Sequence, residues 1–286
     1  MGLTPVDFFA QARFEPATIA VVVLAGVGYG LRVRRLRGKG KAWPAYRTAC
    51  FAAALVAVAV ALLSGLSAFA VANFTAYGIE FSLLTLVAPL LIALSAPVSL
   101  VLQGSDHPER AAVLDRLPVR MVTHPFFTWL AFSAALFVLF FTSLVRATIA
   151  DSADRQGIYL ALLVLGWLHF WPVADIDPIH RRMGFWSRIL YLLLMFPVYA
   201  ILGMTLESQV HPIAPHISMG SLHLGGAVIW VIGETVALCG AIWVFAQWLR
   251  TEERRVKSND LANEEAAARQ LALWRASRDA AARAGS

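Results

Sequence analysis

The chain has 286 residues, of which 59% are hydrophobic and only 15% charged, with a formal net charge of +6 and a mean hydropathy of +0.66. A soluble domain is about half apolar and about a quarter charged, so an ordinary water-soluble fold is excluded. The basic residues flank long apolar blocks, where they orient helices in a bilayer, and this placement argues against a nucleic-acid partner.

The start of the chain, Met1 to Pro16, shows no basic leader ahead of an apolar core. The first block is therefore expected to be a retained helix and not a cleaved signal. It covers about Ala17 to Leu31 and is bordered by Arg32, Arg34, Arg35 and Arg37. The second span is expected over about Thr48 to Ala70 and the third over about Ile79 to Leu102. A polar, basic loop from Gln103 to His124 leads to the fourth, about Phe126 to Val145, and the fifth covers about Gly157 to Ala174. The segment Asp175 to Arg188 contains Asp177-Pro178, a turn-favouring step, and the pair Arg181-Arg182, and reads as a structural loop. The sixth span follows at about Ile189 to Leu206, and the seventh at about Gly225 to Leu249. The first block is short, and the others suit a hydrocarbon core roughly 30 Å thick. The expected fold is an all-α polytopic membrane protein of about seven transmembrane helices in residues 1–250, with a helical tail over residues 251–286.

Orientation follows from the cations. With the N-terminus outside and the tail in the cytoplasm, 21 of the 24 Lys and Arg fall on inner segments and only Arg13, Arg146 and Arg155 on outer ones. Pro89 and Pro97 in the third span, Pro172 in the fifth and Pro197 in the sixth each remove a backbone hydrogen bond. In lipid the freed carbonyls need partners from neighbouring helices or buried water. Cys50 and Cys239 both lie in apolar blocks and read as small core hydrophobes rather than a disulfide or zinc site. The tail carries a weak apolar stripe of Leu261, Leu271 and Trp274, as a solvated or membrane-surface helix would, with docking to a partner the alternative.

No catalytic triad, phosphate-binding glycine loop or paired-carboxylate site is evident. The loop between the last two spans holds His211, His216, Met219 and His223, with Glu207 and Met204 just before it. Imidazole and thioether suit copper, and thioether favours Cu(I). The alternative is a short loop tied by Pro212 and Pro215 with its histidines facing headgroups. Glu234 lies inside the seventh span near Gly225, Gly226 and Gly233. An acid at that depth faces a cavity or a partner, while the glycines permit close helix approach; a packing glutamate and a proton or metal relay both fit. His169 lacks a second helical histidine at similar depth, so haem ligation is disfavoured.

Several stretches then resemble a known family. Leu83 to Leu91 (LLTLVAPLL) with Ala96-Pro97-Val98, Thr123-His124-Pro125, His169-Phe170-Trp171-Pro172-Val173 with Asp177-Pro178 and Arg181-Arg182, Leu224 to Trp230 (LGGAVIW), Gly233-Glu234 and Gln247-Trp248 occur in order. Together they resemble the CtaG-type cytochrome c oxidase assembly factors, seven-helix bacterial membrane proteins linked to copper delivery, over roughly residues 45 to 260. The resemblance implies a multi-pass protein of the bacterial cytoplasmic (inner) membrane, with the lipid bilayer and oxidase subunits as partners and copper as cofactor or cargo. It also implies histidines where this chain has Tyr77 and Phe81, Tyr159 and Ala161, and Tyr199. Any copper handling is therefore expected at His211, His216, Met219 and His223, supported by Glu207 and Glu234, in a binding and transfer protein rather than an enzyme. A metal-free membrane scaffold or accessory subunit is the second expectation. A transporter or haem carrier is a weaker third, since no inverted repeat is visible.

Overall fold

The computed structural model describes residues 15–103, 117–177 and 183–284, with the side chains of 261–262 and 272–284 outside that description. The N-terminal leader reading, the Pro178, His180, Arg181 and Arg182 loop, most of the loop after Gln103, and the Leu261 and Trp274 stripe therefore lie outside the described residues. Among those described there is no strand. Six helices are long and apolar enough to cross a membrane, and one bent pair raises the number to seven. The all-α, seven-span expectation holds. The chain divides into two compact units, Met1–Gly240 and Ala241–Ser286.

In the first unit, α1 (Pro16–Gly38) opens on a proline, where a missing N–H does no harm. α2 (Ala45–Leu63) follows, then the short α3 (Gly65–Ala70), capped by the Ser64 hydroxyl on the Leu66 N–H. The third span begins earlier than the apolar run suggested. Asn73 accepts from the Thr75 and Ala76 N–H groups and starts α4 (Phe74–Ser82). A π-helical turn, Leu83–Val87, then joins it to α5 (Ala88–Leu94).

The π turn follows from Pro89, which has no N–H for the carbonyl of Thr85 four residues back. The helix widens instead, and the Ala88 N–H bonds Leu83 five residues away. Ser82 and Thr85 hydroxyls donate to the Gly78 and Phe81 carbonyls at 2.7 and 2.8 Å. Gly166 of the fifth span lies against this turn. A Cβ there would stand 2.8 Å from the Thr85 carbonyl. The span then breaks at Ala96, whose φ of 52° is left-handed, before α6 (Pro97–Gln103). Asp177 caps α6 from a distant loop, accepting from Val98 and Ser99 N–H at 3.2 and 2.6 Å. Burial pushes its carboxyl above the usual range, with the Ser99 and Val98 hydrogen bonds opposing that shift.

The fourth span is not the single helix expected over Phe126 to Val145. After α7 (Leu117–Val122), α8 (Pro125–Phe141) ends at Thr142, and α9 (Leu144–Ala150) turns away by 69°. Thr142 makes the corner with one hydroxyl, which donates to Val138 O and accepts from Leu144 N. The fifth span, α10 (Ser152–Ala174), starts five residues before the expected boundary because Asp151 caps Ala153 and Asp154 N–H. The sixth is divided at Leu194 into α11 (Phe185–Leu193) and α12 (Met195–Glu207), just ahead of Pro197. The last helix, α13 (Met219–Ala284), begins before the expected Gly225 and carries on without a break at residue 250.

Gly225 and Gly233 explain how α13 enters the core. A Cβ on Gly225 would overlap the Phe74 carbonyl, and one on Gly233 would overlap the Tyr199 ring. Helices approach this closely only where the side chain is absent. In the second unit the helix is exposed from Arg254 to Asp260 and again from Asn263 to Leu271, with ion pairs Glu252–Arg255 and Glu265–Arg269 at 3.7 and 3.6 Å. Such exposed pairs contribute little.

Gly225→Ala is expected to destabilise the protein by about 1–3 kcal/mol, because the atom it meets is backbone and cannot rotate away. Gly157→Ala meets nothing within 4 Å and should leave stability unchanged or raise it by up to about 1 kcal/mol. Thermal unfolding of both variants in detergent checks the contrast, and equal effects would contradict the packing described.

Candidate functional site

The loop singled out for metal binding lies between α12 and α13. His211 and His216 are exposed, while Met219 and His223 are partly buried. His216 Nε2 is 3.0 Å from the Val71 carbonyl, and His223 Nε2 is 3.2 Å from the Gln209 carbonyl. Thr75 Oγ1 donates to Ser221 O at 3.2 Å, fixing the start of α13 to α4. Ile217 and Leu222 are buried beneath the loop. Glu207 is exposed, and Glu234 accepts the Trp230 indole N–H one turn back on its own helix. Among the described residues there is no group of three or more His, Cys, Asp or Glu side chains arranged to hold a metal ion.

A second site was not anticipated. Glu80 on α4 and Arg155 on α10 form an ion pair, Nη2 to Oε2 at 2.6 Å, with side chains 0% and 3% exposed. Arg155 Nη1 also donates to the Ser67 carbonyl of α3 at 3.1 Å. Its guanidinium carbon lies 6.0 Å from the Tyr159 ring centre. One turn before Glu80, Tyr77 shares a hydrogen bond with Thr148 of α9 at 3.1 Å. Phe74, Tyr77 and Phe81 form a stacked series, and Tyr159 lies 6.3 Å from Tyr77 between ring centres. Phe140 of α8 closes the series edge-on to Phe81.

This arrangement corrects one reading and fills a gap in another. Arg155 is not an outer-loop cation, because the Asp151 cap places it inside α10. Glu80 carried its own sequence signal, being the one acidic residue between Glu15 and Asp106, in a stretch where an ionisable group needs a partner. Placing the third span at Ile79 hid it, since that put Glu80 at the helix end.

Of the five positions where the resemblance implied histidines, Tyr77, Phe81 and Tyr159 come together around the ion pair. Ala161 faces outward and does not join them. Tyr199 lies elsewhere, packed on Gly233 and bordering a small cavity with His169, Met195 and Leu192. Its hydroxyl has no hydrogen-bond partner among the described residues. The clustered residues do not fit copper. They offer phenols, a phenyl ring and a carboxylate already bonded to a guanidinium, whose charge repels a cation.

His169 is a packing residue. It is 1% exposed, stacks between Phe132 and Tyr191, and has Nδ1 2.9 Å from the Tyr191 hydroxyl, which also lies 3.0 Å from Thr128 Oγ1. Cys50 and Cys239 are free thiols, as expected, but Cys50 is half-buried and Cys239 exposed, so neither is the core residue the sequence suggested.

The chain matches the family described as cytochrome c oxidase caa3 assembly factor (Caa3_CtaG) over residues 27–251. Among curated proteins it is 26% identical over 270 residues to an uncharacterized protein of Mycobacterium leprae, covering 87% of this chain and 41% of the relative. Uncharacterized proteins of Mycobacterium bovis and Mycobacterium tuberculosis are each 26% identical over 269 residues, covering 87% of this chain and 40% of theirs. The chain thus spans about two fifths of the length of the curated relatives it matches. No solved structure matches.

Arg155→Met, which leaves Glu80 buried without its partner, is expected to cost about 3–5 kcal/mol. The double variant Glu80→Met with Arg155→Met should recover most of that loss, since a well-packed apolar pair replaces a buried ionic one at little net cost. A double-mutant cycle on unfolding in detergent measures the coupling, and additive losses would show the two residues to be independent.

Proposed function

We propose, because this chain belongs to the cytochrome c oxidase caa3 assembly factor family, that it acts in the bacterial cytoplasmic membrane by holding an oxidase subunit during assembly. It is a binding protein rather than an enzyme in this reading. The observation that carries the choice of holding over copper transport is the buried core at Tyr77, Phe81, Glu80, Arg155 and Tyr159. That core is filled by rings and an ion pair that cross-links α3, α4 and α10, so it supplies rigidity where a carrier would supply free donors. The excess of Lys and Arg on alternate connections supports an outside N-terminus and a cytoplasmic tail.

A second reading has one specific observation in its favour. His216 and His223 each direct Nε2 at a backbone carbonyl. In metal sites a ligating histidine commonly gives its other ring nitrogen to such an acceptor, which fixes the tautomer and orients the free nitrogen. Copper would then be cargo, taken by Nδ1 of these residues with His211 and the Met219 thioether. Glu207 and Glu234 would play supporting parts.

One experiment separates the two. In a bacterium lacking its own copy, the chain is expected to restore assembled cytochrome oxidase, read as haem absorbance and oxygen uptake in membranes. A His211→Ala, His216→Ala, His223→Ala variant should restore it equally. Protein loaded anaerobically with Cu(I) and desalted should hold negligible copper by elemental analysis. Near-stoichiometric copper that disappears in the variant, together with failed rescue, would overturn holding in favour of copper delivery.

A further inference from the structure

The turn between α1 and α2 carries the longest run of like charge among the described residues. Seven cations lie between Arg32 and Arg47, and no acidic residue occurs between Glu15 and Glu80. Arg32, Arg34, Arg35, Arg37 and Lys41 are exposed, and Arg47 is half-buried. We propose that this turn is a binding site for the headgroups of anionic phospholipids, with phosphodiester oxygens held by these six side chains.

Helix length places the cations where such headgroups are. The apolar part of α1, about Ala17 to Leu31, spans roughly 22 Å at about 1.5 Å per residue, against a hydrocarbon core of roughly 30 Å. The arginines that follow are therefore drawn into the interface and reach outward along their apolar stems. Val33 and Leu36 face the bundle, so the arginines between and beside them fan over the rest of the helix.

The platform beneath them is fixed. Trp43 is buried and gives its indole N–H to the Tyr29 hydroxyl at 3.3 Å, which in turn donates to the Ser95 carbonyl at 2.9 Å. Tyr29 stacks on Phe51 at 4.0 Å. Lys41 Nζ is tied to the Gln103 carbonyl at 3.1 Å. The Arg47 guanidinium lies over the Trp43 ring at 4.8 Å and gives Nε to the Tyr46 hydroxyl at 3.3 Å, which leaves both Nη groups for an anion. Asp177 is the facing acid. It carries a coulombic interaction with Arg47, but both its oxygens accept backbone N–H groups of α6. Orientation in the membrane needs an excess of cations on one side; it does not need them anchored on a rigid aromatic base whose one facing carboxylate, Asp177, is engaged by backbone N–H groups. The positions call for a polyanionic surface, and in a membrane-spanning protein that surface is the lipid headgroup layer.

The test uses the full chain in mixed micelles containing equal amounts of phosphatidylglycerol and phosphatidylcholine with the same acyl chains, followed by analysis of the lipid that co-purifies. Each cation near a charged surface favours an anionic lipid on the order of fivefold. The wild type is thus expected to retain phosphatidylglycerol at least about tenfold over phosphatidylcholine, with the preference falling as salt rises. Arg32→Gln, Arg34→Gln, Arg35→Gln and Arg37→Gln together should remove most of it. Arg250→Gln, Arg254→Gln, Arg255→Gln and Lys257→Gln, an equal loss of charge in the second unit, should not. Absence of a headgroup preference in the wild type overturns the proposal whatever the variants do. So does an equal loss in the two variants, which would reflect net charge alone. Displacement of the lipid by millimolar inorganic phosphate also overturns it, and would mark a site for the free anion.

Discussion

A carboxylate and a guanidinium joined inside an apolar bundle set the terms for the rest of this structure. Removing two charges from water costs several kcal/mol each, and their attraction offsets that only where geometry is tight and other hydrogen bonds are made. Glu80 and Arg155 meet the first condition at 2.6 Å, and the Ser67 carbonyl helps to meet the second. The consequences reach outward through the chain. Arg155 can reach Glu80 only because Asp151 starts α10 early, and Ser67 is within reach because α2 breaks at Ser64 into the short α3. The corner at Thr142 sends α9 across Tyr77 so that Thr148 covers the next turn of α4. The breaks at Ser64 and Thr142 thus place a carbonyl beside the pair and a hydroxyl on the neighbouring Tyr77.

The second constraint is space. Gly225 and Gly233 bring α13 against Phe74 and Tyr199, and Gly166 brings α10 against the widened turn at Thr85. Rings then occupy what is left. Phe74, Tyr77, Phe81 and Tyr159 fill one layer, and Phe132, His169 and Tyr191 another. Around the ion pair the rings pack on one another, and the same atoms cannot also offer a cation its coordination sphere.

Much of the fold was legible in the sequence, for reasons that differ by element. Apolar blocks reported the spans because lipid demands them, and Gly225, Gly226 and Gly233 reported close helix contact because nothing larger fits. Helix ends were less visible. Asn73 and Asp151 moved two starts N-terminally through side-chain caps, which a hydropathy pattern does not register. The broken fourth span was hidden for a similar reason, since a single threonine hydroxyl makes the corner. Glu80 was missed by reading its helix as starting at Ile79, and Arg155 by treating it as an orienting charge. Each residue was conspicuous alone; what the sequence could not supply was that the two meet across 75 positions. The histidine loop was read for its chemistry, but a loop's ligand geometry depends on how its backbone is tied, and here two of the imidazoles turn Nε2 to carbonyls.

A filled interior has a consequence for where work can be done. In lipid, apolar surface alone does not drive helices together, so association with another membrane protein rests on packing fit and polar contacts. A bundle whose own core is fixed by an ion pair and glycine contacts keeps its outer faces in constant register, and a partner helix then meets the same surface each time. Flexibility inside the bundle would spread that surface over many shapes and raise the entropy lost on binding. Rigid ring packing at Tyr77, Phe81 and Tyr159 therefore favours a protein that acts through its periphery. On the proposed reading the histidine loop and the arginine turn are candidate recognition surfaces, and their different side chains, imidazoles and a thioether at one and guanidiniums at the other, allow each to be altered without disturbing the core.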